Sequence, residues 1–229
     1  MATMSKNSRF KGVLFDLDGT LLDTISDITY ALNSALSLAQ VEPITPTEGK
    51  GFVGRGLKNA LKGALEARGK KVTPERLDQL VGEVMRAYSL HPYRDSPPYP
   101  GIEELLNDLT REGVVLGILS NKADSLVQPI IKGVLAHHPF KFIRGAKEGW
   151  ASKPDPEGIY AFSKQLGCDP NQLLLVGDSE VDYYTAEAAQ IDVAIVTWGF
   201  RSRKSLEEAG CTNLYDTVDE LRKEVFPWL

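Results

Sequence analysis

The sequence predicts an α/β protein with a doubly wound, Rossmann-like parallel sheet and a second, smaller domain made only of helices. Short apolar segments alternate with amphipathic helical segments along most of the chain. The apolar segments are continuously apolar rather than alternating, as expected of parallel strands that are buried on both faces. Residues 23–97 break this rhythm, because they carry helical patterns and no convincing strand.

The predicted strands are, in chain order, residues 12–16, 114–120, 141–145, 173–178 and 193–197. Amphipathic helices are predicted between them. Residues 101–113 place apolar side chains on one face and end at a glycine, and residues 155–167 have a proline near the first turn and a glycine at the end. This repetition of strand, helix and strand is typical of a doubly wound sheet.

The long stretch between the first two strands contains three predicted helices, at residues 24–39, 56–69 and 73–90. It closes at RDSPPYPG (94–101), whose three prolines indicate a rigid linker. We therefore predict a helical cap domain of residues 23–97, inserted after the first strand into a core domain of residues 1–22 and 98–229.

Composition excludes several classes of function. The chain has 229 residues, 42% hydrophobic and 25% charged, and a net charge of −5, which offers no basic surface for nucleic acid or an anionic membrane. The two cysteines lack CxxC spacing, which favours a reducing cytoplasm over a disulfide framework. No apolar run reaches the ~20 residues of a membrane helix. Residues 1–9 are predicted to be a loose tail without a signal peptide.

Functional side chains follow the predicted strands. Asp16 closes the first strand, Ser120 the second and Asp178 the fourth, and Lys153 lies in the loop after the third. Ligands of open parallel sheets bind outside the carboxyl ends of the strands, so these groups should converge. Clustered aspartates need a cation, and Mg²⁺ prefers carboxylate oxygens. Asp16 could then attack phosphorus, while Asp18 acts as general acid and base.

Other interpretations of these segments fit less well. A calcium loop that begins at Asp16 would have Leu21 at its glycine position and Asp27 instead of the final glutamate. GKGFVG (49–54) matches a dinucleotide-binding pattern but does not follow an apolar strand. Ser120 has no neighbouring histidine and is a poor candidate nucleophile for a hydrolase.

Four short motifs together resemble a known family. DLDGT (16–20), LSNK (119–122), SKPDP (152–156) and GDSEVD (177–182) occur in the order of the four motifs of the haloacid dehalogenase (HAD) superfamily. The resemblance spans nearly the whole chain, and the insertion point is similar to that of members with a small helical cap. FVG (52–54), PYPG (98–101) and TWGF (197–200) resemble stretches of phosphoglycolate phosphatase-like enzymes.

The resemblance implies roles for the carboxylates. Asp16 matches the nucleophile, which also binds Mg²⁺, and Asp18 matches the general acid/base, whose backbone carbonyl lies on the metal. Asp178 matches the remaining protein ligand of the metal. Asp182 matches a carboxylate outside the ligand set that orients water or lysine.

The resemblance also implies how a phosphate ester is bound. Ser120 and the backbone amide of Asn121 match the phosphate-binding pair, and Lys153 matches the lysine that offsets the charge of phosphate and nucleophile. In the glycine-rich cap segment, Arg55 is our candidate for the distal part of the substrate, since a guanidinium can grip a carboxylate in two places. A solvated arginine at a helix start is the alternative.

The function expected from this resemblance is Mg²⁺-dependent hydrolysis of a small phosphate monoester such as phosphoglycolate, by a monomer or homodimer. The dehalogenases of the superfamily lack an acid/base aspartate at the position of Asp18, so dehalogenation is disfavoured. Sugar-phosphate mutases keep both aspartates and are the main alternative. Lys58 and Lys62 leave open the Schiff-base chemistry of phosphonate-cleaving relatives, and a catalytically inactive scaffold is a further alternative.

Overall fold

The computed structural model describes residues 9–227, so the predicted tail lies outside the described residues except for Arg9. The strands are β1 Gly12–Phe15, β2 Val115–Ala123, β3 Phe142–Ala146, β4 Leu173–Gly177, β5 Asp192–Val196 and β6 Leu214–Tyr215. They form one parallel sheet in the order β3-β2-β1-β4-β5-β6. This order confirms the predicted doubly wound sheet, with β1 at its centre.

Alternate residues of the strands enter different hydrophobic clusters. In β1, Val13 and Phe15 belong to a large cluster that includes the cap, whereas Leu14 belongs to a smaller cluster on the other side with Phe162. Val13, Leu14 and Phe15 are all fully buried. The sheet is therefore covered on both faces, which is why the sequence of its strands is continuously apolar.

The core helices alternate with the strands from before β2 to after β6. They are α5 Ile102–Arg111, α6 Asp124–Val134, α7 Glu157–Leu166, α8 Glu180–Ala189, α9 Arg203–Glu208 and α10 Val218–Val225, with a short 3₁₀ helix at Pro170–Gln172. Helix α7 ends at Gly167, which adopts the left-handed conformation (φ 63°) that glycine tolerates without steric cost.

Two features of the sheet differ from the prediction. Strand β6 was not predicted, because its two residues are too short to form an apolar run. Strand β2 continues to Ala123 rather than ending at Ser120, and its register against β3 shifts between Leu119 and Ala123. This irregularity lies at the carboxyl edge of the sheet, where bulges commonly redirect side chains.

The insert folds as helices α1 Ile25–Leu38, α2 Pro46–Lys50, α3 Leu57–Ala67 and α4 Pro74–Leu90. The chain leaves and re-enters the core on adjacent segments, since Leu22 pairs antiparallel with Pro98 and Tyr99 N donates to Leu21 O at 3.0 Å. Beside this junction the buried Asp27 carboxylate accepts from Ser96 Oγ at 2.6 Å. The extent of the cap domain, residues 23–97, stays a prediction. Among residues 9–227, no helix has both the length and the apolar character required to cross a membrane.

Candidate active site

Asp16 and Asp18 lie immediately beyond β1 and are both buried, yet their carboxylates have different partners. The Asp16 Oδ1 atom is 3.0 Å from Lys153 Nζ. The Asp18 carboxylate instead accepts from Thr24 Oγ1 at 2.7 Å and from Lys122 Nζ at 2.8 Å. The two side chains of the DxD motif therefore occupy separate electrostatic environments.

Lys153 neutralises part of the charge around Asp16. Its side chain is buried, and Nζ is 2.5 Å from Asp182 Oδ1 as well as 3.0 Å from Asp16. Burial disfavours the ammonium form, but Asp16 and Asp182 more than compensate and raise the pKa of Lys153 above its usual value. Asp182 is fixed in turn by Ser179, whose hydroxyl donates to Oδ2 at 2.7 Å.

Asp178 lies at the end of β4 and completes a cluster of carboxylates. Asp16, Asp178 and Asp182 each have a carboxylate oxygen within 4.8 Å of the others. Phe200 N donates to Asp178 Oδ2 at 2.7 Å. The backbone approaches this carboxylate so closely that a Cβ atom at Gly19 or Gly199 would overlap it. These glycines permit the close packing that brings Asp178 beside Asp16.

The cluster favours binding of a divalent cation. Burial is the largest influence on Asp16 and raises its pKa to about 6, against the lowering effect of Lys153 and with smaller increases from Asp182 and Asp18. Burial and the charges of Asp16 and Asp182 also raise the pKa of Asp178. With these carboxylates ionised, Lys153 leaves two surplus negative charges. Among residues 9–227, no donor makes a well-aligned hydrogen bond to Asp16 Oδ1. The donor set is all oxygen, which suits Mg²⁺.

The predicted phosphate-binding pair lies on the irregular end of β2. Ser120 is buried, and its Oγ accepts from Lys122 N at 3.3 Å. The Asn121 side chain donates to Lys153 O at 2.9 Å and to Gly54 O, in the cap, at 3.2 Å. Asn121 therefore connects the loop of Lys153, the end of β2 and the cap in one place.

A small cavity joins these groups beneath the cap. Its free volume is about 30 Å³, and its walls include Asp16, Asp18, Ser120, Asn121, Lys122, Asp178, Val53, Leu57 and Phe200. Arg201 closes one side, since its guanidinium donates to Val53 O at 2.6 Å and to Lys50 O at 2.8 Å. The cap loop is thus held against the core by hydrogen bonds from a core arginine.

Arg55 does not line this cavity. Its guanidinium is 3.2 Å from Glu180 Oε1, and 68% of its side chain is exposed. Arg55 lies instead along an adjoining groove of about 660 Å³, whose walls also contain Asn121 and Lys153. The structure therefore places Arg55 next to the predicted phosphate site but on its outer side.

Sequence analysis did not identify three of the side chains that shape the site. Lys122 is part of the LSNK motif, which could have drawn attention to it, but its partner Tyr88 comes from α4 of the cap. Arg201 follows the TWGF stretch and was likewise not predicted. Burial raises the pKa of Tyr88 well above its usual value, as do Asp18 and Asp27, so its phenol is neutral.

Comparison with known proteins agrees with the motifs. A family model described as haloacid dehalogenase-like hydrolase matches residues 13–196. A phosphoglycolate phosphatase of Mannheimia succiniciproducens is 31% identical over 224 residues, which cover 96% of this chain and 100% of the relative. A phosphoglycolate phosphatase of Cereibacter sphaeroides is 36% identical over 216 residues, which cover 93% of this chain and 98% of the relative.

Solved structures give the same result. A crystal structure from Lactobacillus delbrueckii, described provisionally as a phosphoglycolate phosphatase, is 32% identical and superposes with a TM-score of 0.86. The match covers 94% of this chain and 98% of the solved one. Because the family model spans most of the sequence and the fold agrees, the chain belongs to the haloacid dehalogenase-like hydrolase family and is similar within it to enzymes named phosphoglycolate phosphatase.

Proposed function

We propose that the protein is a phosphatase that hydrolyses a small, acidic phosphate monoester of the phosphoglycolate type by transferring the phosphoryl group to Asp16. The observation that carries the proposal is the arrangement at the end of β1. Buried Asp16 lies 3.0 Å from the ammonium group of Lys153 and beside Asp178, while Asp18 is held separately by Lys122. These side chains supply candidates for the nucleophile, the charge compensation and the acid/base group, which supports the proposal.

The first half of the reaction makes an aspartyl-phosphate. A carboxylate oxygen of Asp16 attacks phosphorus, and the bond from phosphorus to the alkyl oxygen breaks. Protonated Asp18 gives its proton to that oxygen, so that an alcohol leaves instead of an alkoxide. Ser120, the Asn121 amide and Lys153 bind the phosphoryl oxygens and offset their negative charge.

The second half regenerates the enzyme. Ionised Asp18 removes a proton from a water molecule as the water oxygen attacks phosphorus. The bond between phosphorus and the Asp16 oxygen breaks, inorganic phosphate leaves, and Asp18 is again protonated for the next turnover. One side chain serves as acid and then as base, which requires that its carboxylate be accurately placed in both steps.

Asp16, Asp178 and the backbone carbonyl of Asp18 are the groups that would hold Mg²⁺. When bound, the ion would compensate the negative charge of the carboxylates and of the phosphoryl group. Asp182 is already engaged by Lys153 and Ser179. We therefore assign it to positioning Lys153.

The substrate class rests on the size of the site and on the relatives. The cavity under the cap is small, at about 30 Å³, and the adjoining groove carries Arg55 beside Asn121 and Lys153. Several relatives that match over nearly their full length are named phosphoglycolate phosphatase. A short acid whose carboxylate reaches the groove would fit both observations.

We expect Arg55→Ala to raise KM for phosphoglycolate about tenfold and to change kcat less than twofold, because it removes a bidentate partner of the substrate carboxylate far from phosphorus. KM for 2-hydroxyethyl phosphate, which lacks the carboxylate, should not change. Arg86→Ala is a matched control, since Arg86 is an exposed cap arginine paired with Glu83. Equal increases in KM for both esters would show that Arg55 does not bind the substrate carboxylate and acts only through its ion pair with Glu180.

A direct assay separates the proposed phosphatase from a mutase and from an inactive scaffold. We expect the purified protein with Mg²⁺ to release phosphate from phosphoglycolate. With glucose 1-phosphate and a trace of glucose 1,6-bisphosphate it should form little glucose 6-phosphate. Isomerisation much faster than phosphate release would identify a mutase, and absence of both reactions would favour a scaffold.

Schiff-base chemistry on a phosphonate receives less support. Lys58 is ion-paired with Asp78 and Lys62 lies 3.9 Å from Glu66, and all four side chains are exposed. An imine-forming lysine is ordinarily desolvated, so that its amine is neutral at physiological pH.

Location and assembly are also proposals. We infer that the enzyme acts in the cytoplasm, which is supported by the absence of a disulfide between its two cysteines, Cys168 and Cys211. We propose a monomer or homodimer, which gel filtration with light scattering would distinguish.

A further inference from the structure

The Lys122 ammonium group connects the catalytic end of the sheet with the cap. Its side chain is 1% exposed, and Nζ donates to Asp18 Oδ1 at 2.8 Å, to Asp18 Oδ2 at 3.1 Å and to Tyr88 Oη at 2.6 Å. A lysine has three N–H donors, so these contacts can use all of them. Lys122 is therefore committed to Asp18 and Tyr88.

The partners of Lys122 belong to different domains. Asp18 follows the central strand of the core, whereas Tyr88 is near the end of α4 and is among the largest fully buried side chains. Thr24, at the start of α1, provides a further hydrogen bond to Asp18 Oδ1. The orientation of the Asp18 carboxylate is thus determined by groups from β2 and from two cap helices.

We propose that Lys122 is a positioning residue that fixes the Asp18 carboxylate for proton transfer, and that Tyr88 makes this positioning depend on the seating of the cap. The inference rests on the proposed function, in which Asp18 serves as acid and base. Movement of α4 away from the core removes the Tyr88 oxygen from a buried ammonium group. A buried ammonium group that lacks a hydrogen-bond acceptor costs free energy. The orientations of Lys122 and of Asp18 are therefore most strongly fixed when the cap is in place.

The consequence can be measured with leaving groups of different basicity. An alkoxide is a poor leaving group and needs the proton of Asp18, whereas 4-nitrophenolate leaves readily without it. The kcat/KM value covers steps up to the first irreversible one, which is transfer to Asp16. Misplacement of Asp18 should therefore lower kcat/KM for alkyl phosphates much more than for 4-nitrophenyl phosphate.

The experiment compares phosphoglycolate, 2-hydroxyethyl phosphate and 4-nitrophenyl phosphate. We expect Lys122→Met to lower kcat/KM about 100-fold for both alkyl esters and less than about tenfold for the aryl ester. Tyr88→Phe keeps the ring and removes only the hydroxyl, so it should show the same pattern at about five- to tenfold. Tyr160→Phe, a change in an exposed tyrosine of α7, is the matched control and should leave all three values unchanged.

Each other outcome has a definite meaning. Equal losses for the three esters would overturn the inference and leave the proposed function intact. A loss confined to phosphoglycolate would show that Lys122 binds the substrate carboxylate and would also overturn it. A wild-type protein that hydrolyses none of the three would overturn the proposed function and the inference together. Thermal melting shows whether the Lys122→Met protein is folded. If it is not folded, the result with Tyr88→Phe decides whether the inference holds.

Discussion

Asp16→Asn is expected to abolish turnover, with a loss of at least about a thousandfold in kcat for phosphoglycolate. The amide nitrogen and oxygen of asparagine are poor nucleophiles toward phosphorus, and the substitution also removes one negative charge from the candidate metal site. Lys153, which lies 3.0 Å from Asp16 Oδ1, would keep its ion pair with Asp182 and lose the one with Asp16. Phosphate release at saturating substrate measures the effect.

A trapping experiment identifies the same atom directly. Rapid acid quench with ³²P-labelled substrate should place label on the peptide that contains Asp16 in the wild-type protein and not in Asp16→Asn. Asp192→Asn, at the exposed start of β5, controls for the substitution itself. Full activity of a folded Asp16→Asn protein, with deamidation excluded by mass spectrometry, would disprove the nucleophile assignment.

In the absence of metal, the Asp16→Asn protein should be at least as stable as the wild type. Folding raises the pKa of Asp16 from 3.8 to about 6. The folded state therefore retains a proton that the unfolded state has lost, and stability falls as pH rises from about 4 through about 6. Asparagine cannot ionise, so the Asp16→Asn protein does not lose stability in this way. At pH 7.5 the Tm of the variant should equal or exceed that of the metal-free wild type.

The core of this fold was predictable because its strands are covered on both faces. Val13 and Leu14 enter different hydrophobic clusters, so both had to be apolar, and the run could be recognised without any alternation. Strand β6, Leu214–Tyr215, could not be recognised in this way. Its residues pair with Ile195 and Val196 at the sheet edge, a contact that depends on the neighbouring strand and not on local pattern.

The candidate site likewise contains groups whose proximity could be predicted and contacts that could not. Asp16, Lys153 and Asp178 follow strands of one parallel sheet, so topology alone predicted that they would converge. The contact of Lys122 with Tyr88 joins residues that are 34 positions apart in different domains. Likewise, the Arg55–Glu180 ion pair joins residues 125 positions apart. Neither contact follows from a motif or a period, because the seating of the cap on the core determines both.

Removal of divalent metal should silence the enzyme, and Mg²⁺ should restore it whereas Ca²⁺ should not. In the proposed mechanism Asp16 serves both as a metal ligand and as the nucleophile, so its oxygen must be placed accurately. Calcium prefers longer bonds and more ligands than Mg²⁺, which would displace the attacking oxygen. Phosphate release after chelation and after readdition of each ion measures this effect.

The same ion should stabilise the fold, which gives a readout independent of activity. Asp16, Asp178 and Asp182 repel one another in a buried cluster, and Mg²⁺ at 100 times its Kd would contribute about 2.7 kcal/mol, or a Tm increase of roughly 5–10 °C in a chain of this size. Asp178→Asn removes one ligand and one charge, so its metal-free Tm should be at least that of the wild type and should respond little to Mg²⁺. Asp192→Asn, a change in an exposed aspartate remote from the cluster, should keep the full response.

Undiminished activity after thorough chelation, or a normal Mg²⁺ response in Asp178→Asn, would show that these carboxylates do not hold the ion.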